Sequence, residues 1–397
     1  MHPEYSSVLV RFGEIGIKSR QTRKRMVSLL ARNIESALDE KGSSYLEVRR
    51  EYGRLFVETK NAEDAAEIVS RVFGVVSTSP VIECKASLRI ILETGVSLAQ
   101  LTFEENGSFA VRARRVGEHN FSSQDIREQL GERILEELEA YNLDVDLDTP
   151  DQSISVEVRD NRAYLFDEII DGVGGMPTGT QGKVVCTIST GLDSPVAAFK
   201  IMKRGCIPIF MHLDNSPHSD DGCVDVAIAQ AKTLASYMHN HEVKMYIVPH
   251  APDLDEAMSK GPRRMTCIFC KRNMLRLARE VALLENADAI STGEIIGEQA
   301  SQTTANLKAI DSAICDPPVL RPCAGDDKTD IQRWAAEIGT YEFSKEDVTC
   351  CTLPPDYPIL KADSKRVEES ERDFDLSIIK SEIENARVIV LKKASPN

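Results

Sequence analysis

Residues 183–199 hold the pattern with the most chemistry in it. The apolar run Val184-Val-Cys-Thr-Ile188 leads into Ser189-Thr-Gly-Leu-Asp-Ser194, and Pro195-Val-Ala-Ala-Phe199 follows. That order is strand, tight turn of small residues, helix. Such a turn aims backbone N–H groups and a helix N-terminus at one point, which makes an anion site. Ser189, Thr190 and Ser194 add hydroxyls. Pro195 suits a first helical turn, where its missing N–H costs little. No Gly-Lys-Ser/Thr follows, so this is not a Walker A loop. Asp193 offers a carboxylate for Mg²⁺ beside bound phosphates, or an N-cap for the helix that follows. An ordinary βα turn is the bland alternative for the loop taken alone.

Cysteine supplies the second chemistry. The chain has 10 cysteines. Cys267-Ile-Phe-Cys270 is a C-x-x-C at the mouth of a basic helix with Lys271, Arg272 and Arg276. Helix N-termini and nearby cations favour thiolates. Cys350 and Cys351 form an adjacent pair. Thiolates suit iron–sulfur clusters and zinc alike, and a structural zinc usually takes four ligands. Cys84, Cys186, Cys206, Cys223, Cys315 and Cys323 read individually as buried packing residues.

Elements must position these groups. A chain of 397 residues suggests two or three domains. Apolar content of 42% is ordinary for a soluble globular protein. No apolar run approaches the roughly 18 residues of a membrane span, and the start lacks a secretory pattern. A cytoplasmic setting is expected, in which a disulfide framework is not. A net charge of −15 argues against coating nucleic acid by bulk charge. Two basic groups stand out locally, Arg11, Lys18, Arg20, Arg23, Lys24 and Arg25, then Arg112, Arg114 and Arg115. Either serves phosphates or is a solvated face.

Strands are expected at 6–12, 45–48 and 55–58, and helices at 19–40 and 62–73. This β-α-β-β-α order suggests a small α+β, ferredoxin-like unit. Helices at 87–101 and 123–140 and short strands at 109–112, 145–147, 154–158 and 163–166 make a second unit. Glycine-rich residues up to 182 read as a linker. From 183 onward short apolar strands, expected at 183–188, 207–213, 243–248 and 288–292, alternate with helices at 194–204, 222–238, 268–285 and 298–308, as in a doubly wound α/β domain with a parallel sheet. Its ligands sit at the carboxyl ends of strands. The 189–194 loop, His212 and Gly293 all fall at such ends. A last strand-like run lies at Val388–Leu391.

The loop resembles the S-G-G-x-D-S signature of PP-loop ATP pyrophosphatases, with Thr190 where that family usually has Gly. Over nearly its whole length the chain resembles the tRNA 4-uridine sulfurtransferases, the ThiI family, in the archaeal-type form without a rhodanese domain. Val8–Lys18, Arg112-Ala-Arg-Arg115, Val156-Glu-Val-Arg-Asp160, Ser291–Thr303, Val319-Leu-Arg-Pro322, Ile338-Gly-Thr-Tyr341 and Cys350-Cys-Thr-Leu353 carry the likeness. The resemblance implies a ferredoxin-like domain at 1–60, a THUMP RNA-binding domain at 61–168, a linker at 169–182 and a PP-loop domain at 183–397. It implies that ATP adenylates the C4 oxygen of a tRNA uridine at position eight and that sulfur then displaces AMP. Mg²⁺ would accompany ATP. ATP contacts carry over onto Thr187, Ile188, Ser189, Thr190, Gly191, Asp193, Ser194, His212, Leu213, Lys271, Gly293 and Gln302. RNA contacts fall on Lys18, Arg112, Arg114 and Arg115.

Many members of the family hold a persulfide on a rhodanese cysteine. This chain ends at Asn397, so sulfur is expected from sulfide or a persulfide carrier protein. The resemblance assigns catalytic roles to Asp193, Cys267, Cys270 and Cys351. In archaeal-type members the C-x-x-C and a later cysteine are proposed to hold an iron–sulfur cluster. Here that set is Cys267, Cys270 and Cys351, with Cys350 as the lesser substitute. Redox or persulfide thiols and zinc stay open beside it. Sulfur supply for the thiazole of thiamine and tRNA binding without catalysis are the rival functions. The resemblance is also compatible with a homodimer.

Overall fold

The structure, a computed structural model, describes residues 4–51, 53–346 and 348–393. The chain divides into two compact units, Met1–Gly175 and Met176–Asn397.

The first unit opens with β1 (Ser7–Phe12), α1 (Arg20–Lys41), β2 (Glu47–Glu51), β3 (Arg54–Glu58), α2 (Ala62–Ser70) and β4 (Val75–Lys85). The helices form for the expected reason. Met26, Leu30, Ile34, Ala37 and Leu38 make a buried stripe along α1. Strand β4 is absent from the sequence expectations, because Ser77, Thr78, Ser79 and Pro80 interrupt its apolar alternation. It completes the β-α-β-β-α order as βαββαβ.

Next come α3 (Leu88–Thr102), β5 (Ser108–Val116), α4 (Ser123–Glu137), β6 (Asp144–Val145), β7 (Gln152–Arg159), β8 (Arg162–Phe166) and β9 (Ile170–Asp171). One sheet runs β2-β3-β1-β4-β8-β7-β5-β6. Residues Val75–Val81 of β4 pair with β1 and Ile82–Lys85 with β8, so one long strand joins both halves. Strand β5 runs on through the basic residues, beyond the expected 109–112.

The second unit contains β10 (Lys183–Thr187), α5 (Asp193–Lys203), β11 (Ile207–Asp214), α6 (Cys223–Ala235), β12 (Val243–Pro249), α7 (Ala251–Lys260), α8 (Thr266–Glu285) and β13 (Ala289–Ser291). Then follow α9 (Thr304–Asp311), β14 (Val319–Leu320), α10 (Lys328–Ile338), α11 (Ser364–Ser370), α12 (Ser377–Glu384) and β15 (Arg387–Lys392). The sheet order is β14-β13-β10-β11-β12-β15. Every pair is parallel except the edge pair β12–β15. Val185, Met211, Val248 and Ile290 are buried on the face covered by α8, as a doubly wound sheet requires. The helix expected at 298–308 is instead a 3₁₀ turn, Ala300–Gln302, followed by α9. Helices α7 and α10 fall outside the sequence expectations. No helix among the described residues is long and apolar enough to cross a membrane.

One buried ion pair locks α8 in place. The Arg272 guanidinium donates to both Glu371 oxygens at 2.9 and 2.7 Å, and Arg276 does so at 3.0 and 2.7 Å. Burial alone would raise the Glu371 pKa, but the two arginines hold it below the usual carboxylate value. Glu371→Ala strands Arg272 and is expected to lower unfolding stability by about 3–5 kcal/mol, measured by urea denaturation. The sign with pH follows. This contribution is complete above the ordinary carboxylate pKa and is lost as pH falls through the depressed one.

Candidate nucleotide and sulfur site

Strand β10 is the point where the sheet reverses its winding. β11 and β12 lie on one side of it, β13 and β14 on the other. The loops leaving β10 and β13 therefore separate over a crevice, where such sheets bind ligands. A cleft of about 450 Å³ opens there. Thr187, Ile188, Ser189, Thr190, Gly191, Asp193, Ser194, His212, Leu213, Lys271, Gly293 and Gln302 all line it. Met211, Asn215, Met274, Thr292, Glu294, Gln299 and Cys350 complete the wall.

Hydroxyls and one buried amide shape the loop. Ser189 N–H donates to Ser194 Oγ at 2.8 Å, and Gly191 N–H to Ser189 Oγ at 3.3 Å. Gln230, fully buried, donates to the Thr190 and Gly191 carbonyls at 3.1 and 3.3 Å. His212 Nδ1 donates to the Ile188 carbonyl at 2.8 Å. Burial holds its pKa below the ordinary value. Asp193 is the first residue of α5, and Leu192 occupies the cap position. The capping alternative for Asp193 is therefore replaced by an ion pair, with Lys328 Nζ 2.7 Å from Oδ1. Lys328 also meets Glu298 at 2.7 Å. Burial raises the Asp193 pKa, and Lys328 opposes the rise.

Gly293 lines the cleft and also permits a close backbone approach. A Cβ there would lie 2.7 Å from the Ser194 backbone nitrogen and 2.8 Å from its Cα. The glycine lets the β13 loop touch the start of α5. Gly293→Ala must push that helix end away. We expect a loss of about 1–3 kcal/mol in thermal denaturation and weaker nucleotide binding in calorimetry.

Two cations meet on Glu294, a buried carboxylate of the cleft wall, and Lys271 lines the cleft with it. Lys271 and Arg321 each lie 3.2 Å from Glu294, and Thr292 donates to it. Burial would raise the Glu294 pKa, but these partners hold it down. Glu294, Arg321 and Lys328 were not anticipated as site residues. Glu294 lies inside the Ser291–Thr303 signature, whereas Lys328 opens a helix that the sequence reading lacked.

The thiols form two groups. Cys267 and Lys271 lie one turn apart on α8, and Gln299 lines both the cleft and a small crevice at Cys267. Burial, then the charges of Cys270 and Cys351, push the Cys267 thiol up to about 11. Burial also raises Cys351, with Cys270 adding to the rise. The three sulfurs are thus within electrostatic reach of one another. The low-pKa thiolate expected at this helix start is overturned for Cys267, because burial outweighs the helix dipole. A cation among the three sulfurs would remove the penalty. His250 Nε2 lies 3.4 Å from Cys270 Sγ. Burial alone would lower the His250 pKa, but Asp253 and Cys270 raise it well above the ordinary value.

Cys350 turns the other way. Its Sγ lies 2.6 Å from Thr190 Oγ1, at the nucleotide loop. Cys223 sits beside it, its thiol pushed up to about 11 by burial and by Cys350. The segment is docked on the loop after β11, with Asn215 donating to the Cys350 carbonyl and Thr352 N–H to that of His218, both at 2.8 Å.

In the first unit Arg112 and Arg114 are exposed on one face of β5, while Arg115 lies on the other and donates to the Gly117 carbonyl at 2.9 Å. Strand alternation separates what sequence adjacency grouped. Lys18, Arg20, Arg23, Lys24 and Arg25 are exposed at the start of α1. Arg11 is withdrawn into a cluster on Glu157, 3.3 Å away, against the Phe166 ring.

Fold and cleft together define a nucleotide-binding α/β domain of the PP-loop kind preceded by an α+β unit. Comparison with known proteins agrees. The family described as Thiamine biosynthesis protein (ThiI) matches residues 179–376, the ThiI ferredoxin-like domain 7–79 and the THUMP domain 85–168. A probable tRNA sulfurtransferase of Methanosarcina mazei is 39% identical over 391 residues, covering 98% of this chain and 96% of that one. One from Methanocaldococcus jannaschii is 36% identical over 383 residues, covering 93% and 97%. The crystal structure of a 4-thiouridine synthetase–RNA complex with bound ATP superposes with a TM-score of 0.85 at 29% identity, covering 98% of this chain and all of that one. The structure of PH1313 from Pyrococcus horikoshii gives a TM-score of 0.63 at 28% identity, covering 84% and 99%. The chain belongs to the ThiI family of tRNA sulfurtransferases.

Proposed function

We propose that this protein converts a tRNA uridine, at position eight, to 4-thiouridine by adenylating the C4 oxygen with ATP and displacing AMP with sulfur. The observation that carries this is the meeting of a hydroxyl-lined anion loop with Lys271 over the switch point, and of a thiol group beside it on the same helix. A uracil oxygen is a poor leaving group, and adenylation turns it into a good one. The loop N–H groups and Lys271 oppose charge on the phosphates as that bond forms, which is electrostatic preorganisation. The Thr190 hydroxyl shares a hydrogen bond with the Cys350 thiol, which ties the loop to the Cys350 segment.

Asp193 and Glu298 share Lys328, so the carboxylates suited to Mg²⁺ already surround a cation. The donor set of Cys267, Cys270 and Cys351, all half-buried, suits a three-thiolate iron–sulfur cluster, since thiolates are the ligands such clusters take and neighbouring sulfurs gain from a shared cation. Such a cluster would supply an iron able to hold sulfide. The protein's own part is to keep that sulfur beside the adenylated base and away from water. The test is tRNA-dependent AMP release from ATP, together with mass-spectrometric detection of the thiolated nucleoside at position eight. Tight tRNA binding without AMP release would instead leave a binding protein.

Arg112 and Arg114 support RNA binding through phosphates, since RNA helices are read largely by backbone and 2′-OH contacts. Lys18 stands with the α1 group, whose cations oppose the helix dipole and so cost stability where they stand. Replacing Arg112 and Arg114 with Ala should weaken tRNA binding and flatten its log–log salt slope by roughly 1 to 2. Arg115 replaced alone should change the slope little. Filter binding at several salt concentrations reads both, and an unchanged slope in the double variant would make those arginines a solvated face.

A further inference from the structure

Beneath the thiol group lies a buried run of polar side chains that the proposed reaction does not use. Cys270 Sγ faces His250 Nε2 at 3.4 Å, and Nδ1 of the same ring lies 2.9 Å from Asp253 Oδ1. The Asp253 backbone N–H donates to Glu382 Oε1 at 3.1 Å. His250 is fully buried, and Asp253 and Glu382 are each 2% exposed. They come from three places: the turn after β12, the first turn of α7, and α12. Burying an imidazole and two carboxylates costs several kcal/mol unless each finds partners. A set of side chains needed only for packing would be apolar. The run ends on a sulfur.

We infer that His250 is a positioning residue for the Cys270 sulfur, its ring held in place by Asp253 with Glu382 behind. The Asp253 contact is an ion pair and not an aligned hydrogen bond, so the ring is held toward the sulfur by charge and by close burial. A hydrogen bond from the ring to Sγ favours negative charge on that sulfur. The same chemistry serves a thiolate, a persulfide anion and a cluster ligand, whose properties depend on hydrogen bonds to sulfur. The ring contact gives the Cys270 sulfur a fixed direction. This rests on the reading of Cys267, Cys270 and Cys351 as the sulfur site.

The experiment uses the full chain freed of bound sulfur and iron. Alkylation by iodoacetamide at one pH is followed separately at Cys267, Cys270 and Cys351 by mass spectrometry. His250→Ala should slow alkylation of Cys270 about tenfold relative to Cys267 in the same sample, the size of a lost charge-assisted hydrogen bond. His250→Gln, which keeps an N–H donor, should recover part of that loss. Asp253→Asn preserves shape and should give a smaller drop at Cys270 alone, so it decides the matter even if the alanine variant fails to fold.

Equal slowing at all three cysteines, or none at Cys270, overturns the inference. So does one equivalent of divalent metal that stays with a Cys267, Cys270 and Cys351 triple serine variant and is lost on Asp253→Asn, because the buried cluster would then be a metal site. Failure of the sulfur-site reading looks different. Cys270→Ser would leave thiolation intact while His250 still governed Cys270 alkylation.

Discussion

Serine at Cys267, Cys270 or Cys351 is expected to lower thiolation of tRNA by at least about 1,000-fold, as loss of a reacting group does, while AMP release continues. The separation follows from the geometry. The 189–194 loop, Lys271 and Glu294 line the cleft, whereas Cys267 lines the crevice beside it at the start of α8, within electrostatic reach of Cys270 and Cys351. A base activated in the cleft then meets water instead of sulfur, and ATP is consumed without product. Quantifying AMP and the thiolated nucleoside in one reaction reads the effect. Equal loss of both would mean that the thiols serve the first step or the fold. Cys350→Ser makes the informative contrast. Its Sγ bonds Thr190 at the loop, so it should disturb AMP release more than the other three replacements do.

Asp193→Ala is expected to lower AMP formation by about 100- to 1,000-fold, the cost of removing one preorganised charge contact, with tRNA binding unchanged. Asp193 is the first residue of α5, directly below the loop, and it holds Lys328 at 2.7 Å. Its removal leaves Lys328 to Glu298 alone and alters the charge over the phosphate position. Lys328→Ala should therefore produce a comparable loss. Asp193→Asn keeps a hydrogen-bonding group of the same size and should fall between. Single-turnover AMP release, measured against tRNA affinity, tells these apart. Wild-type AMP release in Asp193→Ala would sink the assignment of the loop to ATP.

Much of this was written locally in the chain. Val184–Ile188, the small residues that follow and Pro195 specify strand, turn and helix through near-neighbour rules, and the structure follows them. Short apolar strands between helices were enough for a parallel sheet, and a parallel sheet puts its loops at one end. The expected ATP contacts therefore meet at one cleft although they span residues 187 to 302. The periodicity of α1 and α8 likewise needed only spacing.

What tertiary structure decided were contacts between residues far apart in sequence, where no periodicity operates. It set Lys328 on Asp193 across 135 positions. It turned Cys350 toward Thr190 and left its neighbour Cys351 near Cys270, a choice that adjacency cannot express. Gly293 is required by the backbone of Ser194, far from it in sequence. Strand β4 took shape despite its serines and proline because partners on both sides supplied the pairing. His250, Asp253 and Glu382 show no motif, yet three elements converge to bury them beside a sulfur. Local pattern determines which element forms, since that depends on neighbours a few residues away. Which side chains share charge is determined only when the elements pack.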